Sequence, residues 1–385
     1  MNLTRLILFL GKGELSFFDV SVESQKAFLE SLNTPTDLVD RSYCQYKCQT
    51  LFTPFWKRFL QNTVAFFIVP LFLLVSLIKG FFNSPRKKID AIGHFKTLPE
   101  IVPKSLNEKY EINNDHWAED FSLNISDISY ILRIIFRYPL SFYFVLKCSM
   151  NVARYSYMIY TYHPRAIICH AEFSFTSSCL TDYCRMHNVN HIDVMHGEKL
   201  YYIRDSFFEY DECYIWDEHY KKLFIDMRAD PDQFLIHKPV SLFFDSTQFK
   251  NDNAFAEVKY YLTYQTENEL KTIVKCMERI KAKGFSIKYR PHPTFTNMAL
   301  LQKLVNDNEI EFNNQVGIVE SISNLHYAVG LYSTTLLQAC NTCKKVIFDD
   351  VTYPVQYEKL KDLRYILMSK KTECTTMSSF LEFQK

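Results

Sequence analysis

Hydrophobic and polar positions follow a repeating pattern from about residue 166 onwards. Short apolar runs end in polar loops, and amphipathic stretches follow them. The runs Ala166–Cys169 and His191–Met195 predict two strands, with a helix around Leu180–His187 between them, and the run "ECYIWDEHY" repeats the pattern. Successive strand, loop and helix units are typical of a parallel sheet that is covered on both faces by helices.

The same pattern restarts after the polar stretch "STQFKNDNA", which is predicted to be a linker. "EVKYYLTYQT" predicts a strand, "ENELKTIVKCMERIKAKG" an amphipathic helix closed by Gly284, and "FSIKYRPHP" the next strand. "EIEFNN", "AVGLYSTT" and "KKVIFDD" predict further strands, and "LLQAC" a helix. We therefore predict α/β architecture with two doubly wound, Rossmann-like domains, residues 1–245 and 255–385, with the last helix a candidate to pack back on the N-terminal domain.

An uninterrupted apolar segment occupies residues 62–78, within an insertion at about residues 62–82 of the N-terminal domain. Lys57, Arg58 and Lys79 flank it, and cationic flanks suit anionic lipid headgroups. The segment is short for a spanning helix and has Pro70 at its centre. Three interpretations stay open: a transmembrane helix, a monotopic membrane-inserting helix or hairpin, and a buried core helix. A second helical stretch, from Ser129 to Tyr160, is interrupted by Pro139.

Composition narrows the possible function classes. The chain of 385 residues is 48% hydrophobic, and its 44 basic residues almost balance its 43 acidic ones, so no global basic field indicates nucleic acid. Only 8 glycines are present and no Gly-rich phosphate loop occurs. The segment Met1–Leu10 lacks the features of a signal peptide, so the 11 cysteines are expected to be reduced thiols in the cytoplasm. No cofactor and no metal site are predicted.

The stretch "SIKYRPHPTF" places His292 between two prolines directly after a predicted strand. Proline disfavours helix before it and cannot continue a central strand, so the chain must leave its strand at this point. Ligands of open α/β sheets bind beyond the carboxyl ends of the strands. His292 is therefore a candidate ligand contact, and the alternative is a solvated histidine in a turn.

Hydroxyl groups follow another predicted strand in "AVGLYSTTLLQA". Ser333, Thr334 and Thr335 precede a helix, so their hydroxyls and the free N–H groups of its first turn could hold a phosphate. Plain helix capping would require the same residue types. Two further loops at strand ends carry polar side chains: Thr263–Asn268 in the same domain, and Met195–Glu198, "MHGE", assigned to the other domain.

The RPHP and STT stretches together resemble the HP and Ser/Thr motifs of bacterial sialyltransferases. The resemblance implies the GT-B fold, two Rossmann-like domains facing a cleft, and transfer from CMP-activated sialic acid. It also implies that His292, Ser333 and Thr334 contact the CMP phosphate. The acidic motif that supplies the general base in that family is absent here. The HG of His196 and Gly197 is similar, more distantly, to that of CDP-glycerol glycerophosphotransferases.

The resemblances imply an inverting, metal-independent glycosyltransferase of bacterial surface glycans such as O-antigen, capsule or lipooligosaccharide. His196 or Glu198 is the expected base, and His292 would stabilise the leaving phosphate. We assign nucleotide binding to Thr263, Gln265, Thr266, Arg290, Pro293, Glu320, Ser333, Thr334 and Thr335, and the acceptor side to Glu172 and Ser174.

The expected partners are a nucleotide-sugar donor, a glycan acceptor that a lipid could carry, and the inner face of the cytoplasmic membrane; no nucleic acid is expected. Transfer from CDP-glycerol or CMP-Kdo is an open alternative. So are a UDP-sugar epimerase and a non-catalytic, membrane-associated assembly protein.

Overall fold

The computed structural model describes residues 15–86, 88–94, 101–114, 120–370 and 373–382. The segment Met1–Leu10, considered above for a signal peptide, lies outside these residues. The chain divides into two compact units. The first comprises the residues up to His196 together with Tyr201–Lys238, and the second comprises Gly197–Leu200 and the residues from Pro239 onwards.

The first unit contains a parallel sheet with strand order β2-β1-β3-β4-β5-β6. Its strands are β1 (Ala91–Gly93), β2 (Ile112–Asn113), β3 (Ala166–Cys169), β4 (Asn190–Val194), β5 (Glu212–Ile215) and β6 (Phe234–Ile236). Its helices are α1 (Val22–Glu30), α2 (Leu38–Thr50), α3 (Phe55–Phe82), α4 (Lys104–Lys109), α5 (Ile128–Arg137), α6 (Phe142–Tyr162), α7 (Ser177–Met186) and α8 (Glu218–Asp226).

The second unit contains a parallel sheet with strand order β11-β10-β9-β7-β8. Its strands are β7 (Val258–Tyr261), β8 (Ile287–Arg290), β9 (Tyr327–Gly330), β10 (Lys345–Phe348) and β11 (Cys374–Thr376). Its helices are α9 (Glu267–Ala282), α10 (Met298–Leu304), α11 (Ile318–Ser323), α12 (Thr334–Asn341), α13 (Pro354–Leu360) and α14 (Met377–Glu382). Met377, Phe380 and Leu381 of α14 belong to the core of this unit.

Local signals explain why the elements of the second unit begin and end where they do. The Thr266 hydroxyl accepts a hydrogen bond from the Glu269 backbone, and the Glu269 carboxylate accepts one in return, which is a capping box at the start of α9. Gly284 follows α9 with φ +89°, a conformation in which glycine is favoured. The apolar side of α9 then packs on the sheet through its buried residues Leu270, Ile273, Cys276, Met277 and Ile280.

Two features of the second unit differ from the sequence-based prediction. "EIEFNN" was predicted to be a strand, but among the described residues it makes an isolated bridge between Ile310 and Tyr289 and no named strand. The predicted linker contains two short 3₁₀ turns, Ser246–Phe249 and Asp252–Ala254. Asn251, between these turns, donates to Glu320 at 2.6 Å, so the stretch is packed against α11.

Helix α3 is long and apolar enough to cross a membrane, the one helix of the described residues that is so by length and composition. Only 17% of its most apolar 18-residue window is buried. The residues that it buries are small or polar: Lys57, Gln61, Ala65, Val69 and Ser76. Large apolar side chains such as Phe66, Phe67 and Leu71 point outward, whereas Ile68, Phe72, Leu73 and Leu77 are partly buried against the core of this unit.

Both sheets have a strand order of the 2-1-3-4-5 type. The order reverses between β1 and β3 in the first unit and between β7 and β9 in the second. These two doubly wound parallel sheets confirm the predicted α/β fold class with two Rossmann-like units. Such switch points are where open α/β sheets bind ligands, because neighbouring loops leave the sheet on opposite faces there.

Candidate functional site

A cavity of about 250 Å³ lies at the carboxyl edge of the second sheet. Its walls come from the loops that follow β7, β8 and β9, so it lies at the switch point of this unit. Of the residues predicted from the sequence, its lining includes Thr263, Arg290, His292, Pro293, Ser333 and Thr335. The structure thus brings together side chains that are up to 72 positions apart in the chain.

The ring of His292 is held in one tautomer. The backbone N–H groups of Thr294 and Phe295 donate to its Nδ1 at 3.1 and 3.3 Å. Because Nδ1 accepts two hydrogen bonds, the proton of the neutral ring resides on Nε2. Burial lowers the pKa of His292, which favours this neutral form near pH 7. His292 therefore presents an N–H donor at Nε2.

The loop around His292 is tied to its neighbours by hydrogen bonds. The backbone N–H of His292 donates to the Thr296 hydroxyl at 2.8 Å, and that hydroxyl donates to the carbonyl of Thr263 at 3.1 Å. Asn313 donates to the carbonyl of Pro291 at 2.8 Å. These bonds join the loops after β7 and β8, and they hold the imidazole in place before any ligand arrives.

The three consecutive hydroxyl residues at the start of α12 take different positions. Ser333 is the N-cap of the helix, and its hydroxyl accepts from the backbone N–H of Leu336 at 3.3 Å. Ser333 and Thr335 line the cavity. The Thr334 hydroxyl instead accepts from the backbone N–H of Glu198 at 3.1 Å. Thus Ser333 and Thr335, with the first turn of α12, face a ligand in the cavity.

A buried ion network lies behind the cavity wall. Lys259 and Arg290 both contact the carboxylate of Glu311, at 2.6 and 2.8 Å, and all three side chains are almost fully buried. Burial lowers the pKa of Lys259 to about 8 despite the carboxylate. Burial raises the pKa of Glu311, but the charge and hydrogen bond of Lys259, with the bonds from Ser321 and Arg290, outweigh it and lower the pKa. Two cations against one carboxylate leave a net positive charge beside the cavity, which favours an anionic ligand.

Replacing Glu311 with alanine is expected to destabilise the protein by about 3–5 kcal/mol, because two buried cations would lose the carboxylate that they share. Glu267, which pairs with Lys271 at 2.6 Å on the exposed surface of α9, is the matched control. Its replacement by alanine should cost less than about 1 kcal/mol. The urea midpoints of the two variants measure the difference. If both variants lose an equally small amount of stability, the ion network contributes little to the free energy of folding.

The other residues predicted to bind nucleotide shape the surrounding loops. Gln265 accepts from the backbone N–H of Thr263 at 3.0 Å and donates to its hydroxyl at 2.9 Å, while Thr266 caps α9. Glu320 accepts from Asn251 on the packed linker. Gln265, Thr266 and Glu320 are not among the cavity-lining residues.

The "HGE" segment is divided by the structure. His196 belongs to the first unit, whereas Gly197 and Glu198 belong to the second, a correction to their joint assignment from the sequence. Gly197 has φ +126°, which other residues rarely adopt. The Glu198 carbonyl accepts from the Tyr332 hydroxyl at 2.8 Å. Together with the bond to Thr334, this contact fixes Glu198 against the loop that precedes α12.

In the first unit, histidines follow three neighbouring strands: His94 comes directly after β1, His170 directly after β3, and His196 two residues after β4. The rings of His170 and His196 are 4.3 Å apart. Burial lowers the pKa of His94 to about 4, with the charges of Arg154 and His170 acting in the same direction. These histidines therefore cluster at the carboxyl edge of the sheet, around its switch point.

Glu172 lies beside this histidine cluster. Its side chain is 1% exposed, and a carboxylate oxygen lies 3.9 Å from Nδ1 of His196. The loop that carries it is fixed on two sides: Gln45 donates to the Glu172 carbonyl at 2.9 Å, and the backbone N–H of Ala171 donates to the buried Asp193 at 2.7 Å. A buried carboxylate near one imidazole nitrogen favours a proton at that nitrogen, which leaves Nε2 of the neutral His196 ring without one.

The chain matches no protein-family model, and no curated protein matches it significantly. Several solved structures are similar to this chain. One is UDP-GlcNAc 2-epimerase from Neisseria meningitidis bound to UDP-GlcNAc, which is 13% identical in sequence. The similarity covers 77% of this chain and 100% of that chain, with a TM-score of 0.42. The wall teichoic acid polymerase TagF has 10% identity, coverages of 78% and 85%, and a TM-score of 0.39. The glycotransferase of kitacinnamycin has 9% identity, coverages of 77% and 87%, and a TM-score of 0.44.

Similarities at this level say nothing about the substrate or activity of this chain.

The sequence-based prediction missed three residues near the histidine cluster: His94, His170 and Arg154. His94 and His170 follow recognisable short apolar runs, "AIG" and "AIIC", so position after a strand was a usable signal. Arg154 lies on α6 and donates to the Asn151 side chain at 3.3 Å, and burial lowers the pKa of Arg154. Ser174, predicted for the acceptor side, shares a hydrogen bond with Thr176 at 3.0 Å on the loop after Glu172.

Proposed function

We propose that the protein is a glycosyltransferase that takes a sugar from a nucleotide-activated donor and binds the nucleotide part in the second unit. The observation that supports this best is the cavity in which Nε2–H of His292, the Ser333 turn and Thr335 converge beside a net positive charge. Hydrogen-bond donors that are held in place before the reaction stabilise the negative charge that grows on a departing phosphate. His292 would donate to a non-bridging oxygen of that phosphate.

The acceptor would bind at the first unit, with His196 as general base. In an inverting displacement the acceptor hydroxyl attacks the anomeric carbon as the bond from that carbon to the phosphate oxygen breaks. Nε2 of His196 would take the hydroxyl proton, and Glu172 would stabilise the resulting imidazolium. Glu198 is the second candidate for the base; its backbone bonds place it beside Thr334.

The finer part of the proposal concerns the donor. The HP and Ser/Thr motifs support CMP-sialic acid, and the HG of His196 and Gly197 supports a CDP-linked donor as the alternative. Both share a cytidine nucleotide as the leaving group. We expect the acceptor to be a bacterial surface glycan.

Thermal unfolding in the presence of CMP, CDP and UDP tests the proposal. Saturation to about 100 times Kd stabilises a protein by about 2.7 kcal/mol, which corresponds to an increase in Tm of about 5–10 °C for a unit of this size. An increase with CMP or CDP and not with UDP supports the cytidine donor. An increase with UDP alone would instead favour a UDP-sugar enzyme, including an epimerase. No increase with any of the three would contradict nucleotide binding and favour an assembly protein.

We also propose that the protein lies on the inner face of the cytoplasmic membrane. Helix α3 packs one side on the core of the first unit and presents Phe59, Phe67, Leu71 and Phe81 outward, each at least 62% exposed. A helix with one side packed on a water-soluble fold suits an interfacial position better than a spanning one. A lipid-linked acceptor would be reached from there.

A further inference from the structure

We infer that the first unit holds one molecule of a phosphate-bearing lipid in a groove on α3, with the phosphate at Arg58 and the chains along the aromatic wall. The inference concerns a different part of the molecule from the nucleotide cavity and does not depend on the proposed transfer reaction.

The groove has a polar end and an apolar continuation. A cavity of about 580 Å³ lies between α2, α3 and the start of α6, a volume typical of small-molecule sites. Its walls are largely aromatic, including Phe55, Phe59, Phe66, Phe67 and Phe142. A second cavity of about 290 Å³ shares the last three of these residues and is lined entirely by apolar side chains such as Val69 and Val145. This shape suits an amphiphile.

The charged residues of the larger cavity are all cationic. Arg58 and Lys47 line it, and no carboxylate is among its lining residues. Nε of Arg58 is buried and has no hydrogen-bond partner among the described residues, and no acidic side chain of the described chain lies within 4 Å of its guanidinium. Arg58 is half-buried and lines the cavity, and a guanidinium without a carboxylate partner favours an anionic ligand there. A phosphate matches a guanidinium through paired, charge-assisted hydrogen bonds.

The surroundings indicate a membrane as the source of this ligand. Phe55, Trp56, Phe66 and Phe67 are 75%, 61%, 50% and 69% exposed around the mouth of the groove, and Leu140 at the other side is 83% exposed. A contiguous exposed apolar surface of this kind marks a site of contact with lipid or protein. Aromatic rings beside cationic side chains suit the level of lipid headgroups, where both a charged phosphate and apolar chains are present. A free phosphate ion would use only the polar end and would leave the aromatic walls uncovered.

Native mass spectrometry of the full chain after exchange into a mild detergent provides the test, with vesicles of phosphatidylcholine and 20% phosphatidylglycerol as the lipid source. The wild type should retain one phospholipid. Arg58→Gln and Arg58→Lys should each reduce retention at least tenfold, because lysine keeps the charge but not the paired hydrogen bonds. Thr63→Trp, a change at an exposed position that fills the groove, should reduce it as well. Lys79→Gln on the same helix is the matched control and should retain the lipid.

Three results would overturn the inference: no retained lipid in the wild type, equal retention by wild type and Arg58→Lys, or an equal loss in Lys79→Gln. The last two would mean that only the overall positive charge attracts lipid. Displacement of the lipid by 10 mM inorganic phosphate would also contradict a site that requires the chains. The increase in Tm caused by CMP or CDP, measured in the same variants, should not change. A failure of the lipid site is therefore distinguishable from a failure of the nucleotide site.

Discussion

Replacing His292 with alanine is expected to lower kcat by about 10²–10³-fold, because the donor at Nε2 is aimed at charge that grows only as the phosphate departs. The ground state carries less charge on that oxygen, so nucleotide affinity should fall much less than kcat. Transfer from the donor that supports turnover by the wild type, together with the Tm in the presence of the corresponding nucleotide, measures both effects. His292→Gln restores an N–H donor and should recover part of the lost rate.

His326→Ala is the matched control for His292. His326 is an exposed histidine of the same unit that precedes β9, at the amino end of the sheet and thus opposite the cavity. The His326→Ala variant should transfer the sugar at the wild-type rate. Normal rates in His292→Ala, with a folded protein, would remove the assignment of the leaving-group site.

Replacing His196 with asparagine is expected to cut kcat by about 10²–10⁴-fold and to leave nucleotide affinity unchanged, because a general base acts on the acceptor and not on the donor. Glu172→Gln should cause a smaller loss. It should also move the acid limb of the pH–rate profile to lower pH, since removing a nearby carboxylate lowers the pKa of an imidazole. A role of Glu172 that is only structural would lower the rate without moving this limb.

His163→Asn serves as the control for His196, since His163 ends α6 in a left-handed conformation that asparagine tolerates, at the amino end of β3. It should have little effect. If His196→Asn keeps the wild-type kcat while Glu198→Gln loses it, the base is Glu198. Wild-type rates in both variants would contradict the acceptor-side proposal.

The sequence predicted the second unit better than the first because its strands and helices alternate without long insertions. Short apolar runs and the capping residues of α9 were sufficient to find the strands β7 to β10 and the helices α9 and α12, whereas β11 and the short helices α10, α11 and α13 were not predicted. In the first unit, β1 and β3 are neighbours in the sheet, but about 70 residues of helices and loops separate them in the chain. Periodicity within a window cannot pair two strands at that distance, and so the proximity of His94 and His170 was not foreseen.

Two site details depended on geometry that residue types do not encode. Successive residues at a helix start point in directions about 100° apart, so which of Ser333, Thr334 and Thr335 faces the ligand follows from the orientation of α12. Glu311 has the alternating neighbours of a strand, yet Ile310 beside it makes an isolated bridge, and the Glu311 carboxylate is buried with Lys259 and Arg290. Charged residues that are far apart in the sequence carry no local signal that their side chains form ion pairs.

The contrast between the packed side and the outward side of α3 determines which substitutions this helix tolerates. On its packed side, room is so restricted that a Cβ on Gly80 would lie 2.0 Å from the carbonyl oxygen of Leu123. Replacing Ala65, Ser76 or Gly80 with a larger residue should therefore abolish expression. Exchanges among Leu, Ile and Phe on the outward side should leave expression unchanged. Related chains would then keep their small residues along this helix and vary the bulky ones, a pattern that selection would leave on a surface solvated by lipid.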